Sequence, residues 1–181
     1  RDRDGGATWE NVTPKKMPDW MMINSIDASS FDSGTAYIAG TRYKLGDFTP
    51  YLYVTDDYGK NWKLITDGIK DEHFTRVLRS DKVNKNILYA GTETGMYISY
   101  DRGNSWNEFQ KNLPIVPITD LTIKDNSLIV ATQGRSIWMI DDLTVFHQLT
   151  PSTDQIKLYK PKDSYRTVSY THLRAHETAD N

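Results

Sequence analysis

Two carboxylates and five nearby polar side chains are the groups in this sequence best suited to act on a ligand. Glu93 can serve as a general acid or base, and Asp47 is the nearest candidate for a second carboxylate. Cleavage of a glycosidic bond needs two such groups, roughly 5–10 Å apart. Tyrosine and arginine can stack on a sugar and hydrogen-bond to it. The predicted ligand-binding residues are Arg42, Tyr43, Lys44, Gln133 and Arg135.

Each of these residues also has a structural interpretation. Glu93 can be a turn carboxylate that binds backbone or pairs with an arginine. Arg135 can hold carbonyl groups of a neighbouring element, because its guanidinium donates five hydrogen bonds from a rigid fork. The segment Tyr43–Pro50 can be a variable surface loop. The sequence leaves these alternatives open, and it predicts no cofactor and no metal site.

A short pattern that recurs three times indicates how these residues are positioned. The pattern is Ser or Thr, any residue, Asp, any residue, Gly, two residues and Trp. Thr55–Trp62 and Ser99–Trp106 fit it, and Asp2–Trp9 fits with Asp2 in place of the hydroxyl residue. The three central aspartates, at 4, 57 and 101, are 53 and 44 residues apart. A period of this size is typical of β-propeller blades.

The pattern has the chemistry of a tight β-hairpin, and we call each copy a box turn. The aspartate accepts hydrogen bonds from backbone N–H groups across the turn. The glycine takes a backbone conformation that is costly for residues with a Cβ, and the tryptophan supplies a large apolar surface for packing. We therefore expect a scaffold role for Asp4, Gly6, Trp9, Thr55, Asp57, Gly59, Trp62, Ser99, Asp101, Gly103 and Trp106.

Short segments rich in Ile, Val, Tyr and Thr separate the box turns and predict strands. The predicted fold is all-β: a partial β-propeller of about three four-stranded antiparallel blades plus one extra strand. Residues 1–13 form the last strand of a preceding blade, 14–72, 73–116 and 117–150 form blades, and 151–167 form an exit segment. The third blade lacks a box turn, and its fourth strand is predicted at Val145–Leu149. Because propellers typically have 4–8 blades, we expect apolar surface at both ends of this arc, where missing blades of a longer chain would pack.

Blade topology places all the candidate ligand-binding residues on one side. In an up-and-down blade the box turns lie on one rim, whereas the second turn and the link to the next blade lie on the other. The predicted second turns are Tyr43–Pro50, Thr92–Gly95 and Gln133–Ser136, and the links are Thr66–His73 and Gln110–Pro117. We call the rim that carries them the site rim. A concave mouth there is the expected place for a ligand.

Composition excludes some classes of function. The chain has 22 Lys and Arg against 24 Asp and Glu, which argues against a surface that follows nucleic-acid phosphates. No apolar run approaches the roughly 18 residues of a membrane span. The absence of cysteine excludes disulfides and thiolate zinc sites.

The C-terminal segment differs from everything before it. Residues 168–178 resemble one reading frame of a sequencing adaptor, and we expect residues 168–181 to be non-native. His172 and His176 have the four-residue spacing of a metal-binding helix pair. Because of the adaptor resemblance, we assign them no function.

With these motifs identified, residues 24–149 resemble the Asp-box propellers of the sortilin type, a group that includes bacterial glycosyl-hydrolase-like proteins. The resemblance rests on the segments Leu88–Gly95, Ser99–Trp106, Asn112–Pro114 and Ala131–Trp138. It implies an exported protein, extracellular or periplasmic, that acts on or binds glycans. The alternative is a non-catalytic propeller with a protein or peptide ligand. Neither the arginine triad nor the tyrosine–glutamate pair of sialidases has a match here, so the resemblance transfers no catalytic residue.

Overall fold

Three antiparallel sheets follow one another along the chain in the computed structural model, which describes residues 1–149, 156 and 158–163. The first sheet contains β1 (Met22–Ala28), β2 (Ala36–Arg42), β3 (Asp47–Thr55) and β4 (Lys63–Leu64), and the second contains β5 (Thr75–Ser80), β6 (Leu88–Thr92), β7 (Met96–Ser99) and β8 (Asn107–Glu108). The third contains β9 (Ile118–Lys124), β10 (Ser127–Thr132) and β11 (Ile137–Ile140). Within each sheet, every strand pairs with its neighbour in sequence. The predicted partial β-propeller is confirmed.

The hydrophobic core lies between successive sheets rather than within any one of them. One cluster joins the first and second sheets through residues such as Leu52, Leu78 and Trp106. A second cluster joins the second and third sheets through residues such as Tyr89, Leu121 and Leu128. A single sheet cannot bury its own apolar face, so each blade depends on its neighbours.

The predicted fourth strand of the third blade was wrong. Residues Thr144–His147 form a short helix, α1, instead of part of a strand at Val145–Leu149. Leu143 is fully buried, and the ring of Phe146 packs edge-on against Phe109 at 5.2 Å. Apolar residues three apart lie on one face of a helix but on opposite faces of a strand. This spacing, together with the missing box glycine, explains why the chain turns into a helix here.

Residues 1–13 contain no β-strand. They nevertheless contact the first sheet in the way that β4 and the following residue, Ile65, contact the second sheet. The indole N–H of Trp106 donates to the carbonyl of Ile65 at 2.8 Å, and that of Trp62 donates to the carbonyl of Val12 at 2.7 Å. Ile65 and Val12 each lie three residues after the tryptophan of the previous box turn. The N-terminal segment therefore packs on the first sheet as the outer strand of one blade packs on the next.

The box turns have the hydrogen bonds that their residue types suggest. In the second box turn, Asp57 accepts the backbone N–H of Asn61 at 2.9 Å, and the Thr55 hydroxyl accepts the N–H of Gly59 at 2.9 Å. The third box turn repeats both bonds with Asp101 and Ser99 as the acceptors. In the first turn the Asp2 carboxylate accepts the Gly6 N–H at 2.9 Å, so it replaces the hydroxyl.

Hydrogen bonding in these turns predicts acid-sensitive stability. Bonds from the backbone and side chain of Asn61 lower the pKa of Asp57 from 3.8 to about 2. A carboxyl group whose pKa is lower in the folded state stabilises the fold above its unfolded pKa, and this contribution is lost as the pH falls through the folded value. We expect the denaturant concentration at the midpoint of unfolding to decrease as the pH is lowered from 4 to 2. The decrease should be smaller in Asp57→Asn.

The control for this prediction is Asp71→Asn, which changes an exposed aspartate outside the box turns. It should keep the pH dependence of the original protein. An unchanged slope in Asp57→Asn would contradict the assignment of acid sensitivity to the box turn.

Apolar side chains are exposed at both ends of the arc. On the first sheet, Ile26 is 68% exposed. On the third sheet, Ile137 and Met139 of β11 are 71% and 59% exposed, whereas Trp138 and Ile140, which alternate with them, pack on the core. Alternation along the strand thus gives the third sheet one buried and one open apolar face.

Candidate functional site

The second turns and the inter-blade links meet on the site rim. The backbone N–H of Glu93, in the second turn of the second blade, donates to the carbonyl of Phe74 at 3.1 Å. Phe74 directly follows the link from the first blade. In the third blade, the backbone N–H of Gln133 donates to the carbonyl of Pro117 at 2.9 Å. In the second and third blades, the second turn is therefore held against the link that leads into its own blade.

Asp47 is fixed by three neighbours at the start of β3. Its carboxylate accepts bonds from the Arg42 guanidinium at 2.8 Å, the Tyr51 hydroxyl at 2.9 Å and the Thr49 backbone N–H at 3.1 Å. Burial alone would raise the pKa of Asp47, but the bonds from Thr49 and Tyr51 and the charge of Arg42 outweigh it, so the pKa lies below its ordinary value. Asp47 is therefore ionised at neutral pH and cannot donate a proton as a general acid.

Glu93 is held by an arginine that the sequence analysis did not include. Arg76 of β5 donates to the Glu93 carboxylate from Nε at 2.6 Å and from Nη2 at 2.5 Å. The same guanidinium lies over the rings of Phe74 and Tyr43, at 5.3 and 5.9 Å from their centroids. The Tyr43 and Phe74 rings stack on each other at 5.2 Å. This arrangement matches the structural interpretation of Glu93, in which an arginine pairs with a turn carboxylate.

The structure therefore brings together some of the predicted residues and leaves others apart. Tyr43 and Glu93 belong to one connected cluster through Arg76, and Arg42 pairs with Asp47 beside it. Gln133 and Arg135 lie at the turn after β10 with exposed side chains. Within the part of the chain that the structure describes, neither of these two side chains makes a hydrogen bond or an ion pair. The backbone carbonyl of Arg135 does accept the indole N–H of Trp138 at 2.8 Å.

A shallow cleft opens on the site rim beside this cluster. It has a volume of about 210 Å³ and is lined by residues that include Trp20, Arg42, Tyr43, Lys44 and Leu45. Trp20 is 86% exposed and Leu45 is 56% exposed. The cleft thus offers an open aromatic and apolar surface with the Lys44 ammonium beside it.

Sequence reasoning missed Arg76, Phe74, Phe48 and Trp20. The Phe48 ring lies 5.9 Å from that of Phe74 and is 47% exposed, so the aromatic group continues to the surface. Arg76 lies in β5 and Trp20 lies just before β1, so neither belongs to the predicted second turns or links. Phe48 does lie in the predicted second turn Tyr43–Pro50. The signal available in the sequence was an arginine directly after Phe74-Thr75, at the point where the chain leaves the site rim after the link Thr66–His73.

Two kinds of feature are missing from the residues that the structure describes. They contain no group of His, Asp or Glu side chains arranged to hold a metal ion. Their helices are all too short to cross a membrane. The histidines of the adaptor-like segment, residues 168–181, lie outside the described residues.

Comparison with known proteins gives one family match and several fold matches. Residues 50–179 match the model of the Sortilin-Vps10 family, described as sortilin, neurotensin receptor 3. A search of curated proteins gives no significant match.

The solved structures that match include β-propeller proteins of low sequence identity. A structure of YCF48 bound to D1 peptide has a TM-score of 0.53 and 22% identity, over 79% of this chain and 48% of that one. A GH74 enzyme from Niastella koreensis has a TM-score of 0.53 and 13% identity, over 66% of this chain and 21% of the enzyme. YCF48 from Cyanidioschyzon merolae has a TM-score of 0.50 and 17% identity, over 76% and 44%. At these identities the likeness concerns the fold, and the chain spans less than half the length of each of these structures.

Proposed function

Because this chain belongs to the Sortilin-Vps10 family, we propose that it is part of a propeller that binds a peptide or protein segment on its site rim. The same membership supports an extracellular or luminal location for the protein. The missing blades of a longer chain would complete the binding surface.

One observation carries the proposal: both candidate carboxylates are occupied by arginines. Arg42 holds Asp47, and Arg76 holds Glu93. A glycoside hydrolase needs one carboxylic acid that keeps its proton near neutral pH, whereas the pKa of Asp47 lies below its ordinary value. The two ion pairs therefore favour a fixed binding surface over an acid–base pair.

Exposed aromatic and cationic groups on the same rim support peptide binding. Trp20, Tyr43 and Phe48 present ring surface, and Lys44 adds a positive charge at the cleft. Aromatic residues and arginine carry most of the binding energy at protein interfaces. The YCF48 structure with a bound peptide supports the idea that a propeller of this fold can take such a ligand.

Glycan binding is the second candidate, and Trp20 is the observation that favours it. An exposed indole beside Lys44 and Arg42 has the apolar face and polar neighbours on which a sugar ring can stack. A role in cleavage would require Glu93 to leave its pair with Arg76.

The test compares rim variants with a control on the other rim. The double variant Trp20→Asn with Phe48→Ala removes two exposed rings, and asparagine tolerates the positive φ of 62° at position 20. The control is Val83→Ser, which removes a 63% exposed apolar side chain from the β5–β6 turn. Peptides selected from a phage-displayed random library should bind the double variant about tenfold more weakly, a loss of about 1.4 kcal/mol, and the control unchanged.

A hydrolysis assay separates the two candidates. The chain and its Glu93→Gln variant are incubated with a panel of polysaccharides, and the release of reducing sugar is measured. We expect no release from either protein. Release that disappears in Glu93→Gln, while the variant keeps its fold, would reject the binding function in favour of a glycoside hydrolase.

A further inference from the structure

A second cleft lies on the opposite side of the first sheet from the site rim, next to the second box turn. It has a volume of about 610 Å³; residues 10–16 line one part of it, and residues 59–62 with Tyr53 and Leu64 line the rest. Trp62 and Val12 both line it, and the indole N–H of Trp62 donates to the carbonyl of Val12 at 2.7 Å. The cleft is thus built by two segments that are tied together.

The charges around this cleft are one-sided. Lys15, Lys16 and Lys60 line it, and all three are exposed. None of them forms an ion pair within the described residues. The single acidic residue of the lining, Glu10, is already paired with Arg1. An unpaired positive surface in a concave site attracts an anionic partner.

The outer strand of the sheet supplies a second feature. β4 pairs with β3 alone and forms the edge of the first sheet. The backbone N–H of Ile65 donates to Leu52 at 2.9 Å. Because backbone groups alternate in direction along a strand, the N–H and C=O of Leu64 point away from β3. The Leu64 side chain, 48% exposed, lines the same cleft.

We propose that this cleft binds an acidic peptide in extended conformation, which pairs with β4 and places its carboxylates against Lys15, Lys16 and Lys60. An open sheet edge offers main-chain hydrogen bonds to such a strand, and side-chain pockets give the specificity. Alternating apolar and acidic residues fit the site, because one face of the peptide meets Leu64 and Trp62 while the other meets the lysines. This surface is separate from the site rim, so its occupant is independent of the proposed rim ligand.

The test uses a fluorescein-labelled synthetic peptide of alternating Glu and Leu, with binding followed by fluorescence anisotropy. The variant is Lys15→Glu with Lys16→Glu. The matched control is Lys82→Glu with Lys85→Glu, which reverses two exposed lysines in the β5–β6 turn. We expect binding at low salt to weaken at least about tenfold in the variant, which corresponds to about 1.4 kcal/mol, and to be unchanged in the control. Circular dichroism checks that both proteins keep their strands.

A third variant and a second ligand complete the design. Leu64→Pro removes the N–H that an added strand would use, and an exposed edge position tolerates proline; we expect it to weaken peptide binding as well. A sulfated oligosaccharide is titrated in parallel. The proposal is overturned if the peptide does not bind, if the control loses as much affinity as the variant, if Leu64→Pro binds the peptide normally, or if only the oligosaccharide binds through these lysines.

Discussion

Replacing Trp106 with alanine is expected to lower the free energy of unfolding by about 3–5 kcal/mol, the usual cost of deleting a large buried aromatic side chain. Trp106 is 4% exposed and belongs to the cluster between the first and second sheets. Its indole N–H also donates to the carbonyl of Ile65 at 2.8 Å. Truncation therefore opens a cavity between two blades and removes the hydrogen bond to that carbonyl. Equilibrium unfolding in urea measures the change.

The matched control is Trp9→Ala, at the same position of the first box turn. Trp9 is 77% exposed, so it takes no part in packing between the described blades. We expect a change within about 0.5 kcal/mol, as for other surface substitutions. If Trp9→Ala were as costly as Trp106→Ala, the tryptophan would be needed for the local hairpin rather than for packing between blades.

This contrast also shows how far the sequence predicts the fold. The box turns and their spacing predicted the blades, because each turn carries its own hydrogen-bonding residues within eight positions. The short segments rich in Ile, Val, Tyr and Thr that predicted strands include β7 and β11 of the structure. The pattern within a box turn is the same whether its tryptophan is buried or exposed, since burial depends on packing between blades rather than on the turn itself.

The candidate site was less predictable, because its decisive contacts join separate elements. Arg76 reaches Glu93 from another strand, and the register between β5 and β6 shifts between Thr75 and Val77. Such a bulge changes the direction of the side chain that it contains. A pattern of alternating residues carries no signal for this shift. The ion pair between Arg76 and Glu93 could therefore be identified only from the structure.

Replacing Asp81 with alanine is the second change with a large expected effect. Asp81 is fully buried at the end of β5, and its Oδ1 accepts the backbone N–H groups of Val83 at 2.7 Å and Asn84 at 2.8 Å. Its Oδ2 lies 3.0 Å from Nε2 of His147 and 3.3 Å from the Tyr89 hydroxyl. Asp81 thus fixes a turn of the second blade and ties α1 to it.

We expect Asp81→Ala to lower the free energy of unfolding by about 3–5 kcal/mol, at the upper end for single substitutions that leave buried polar groups unpaired. Several donors would then lie buried without an acceptor, and each such group costs about 1–3 kcal/mol. Asp81→Asn keeps an oxygen for the two backbone donors, so its cost should be smaller. His147→Gln should also cost less, because it removes one of four contacts to the carboxylate.

The control is Asp71→Ala, which removes an exposed carboxylate from the link between the first and second blades and should change the stability by less than about 0.5 kcal/mol. The informative result is the order of the variants by their loss of unfolding free energy. If His147→Gln were as destabilising as Asp81→Ala, the attachment of α1 would account for the whole effect, and the turn would contribute nothing. If Asp81→Asn were as costly as Asp81→Ala, the negative charge would matter more than the backbone hydrogen bonds. We predict that Asp81→Ala loses much more unfolding free energy than either Asp81→Asn or His147→Gln. This order requires that the Asp81 carboxylate stabilise both the turn and the attachment of α1.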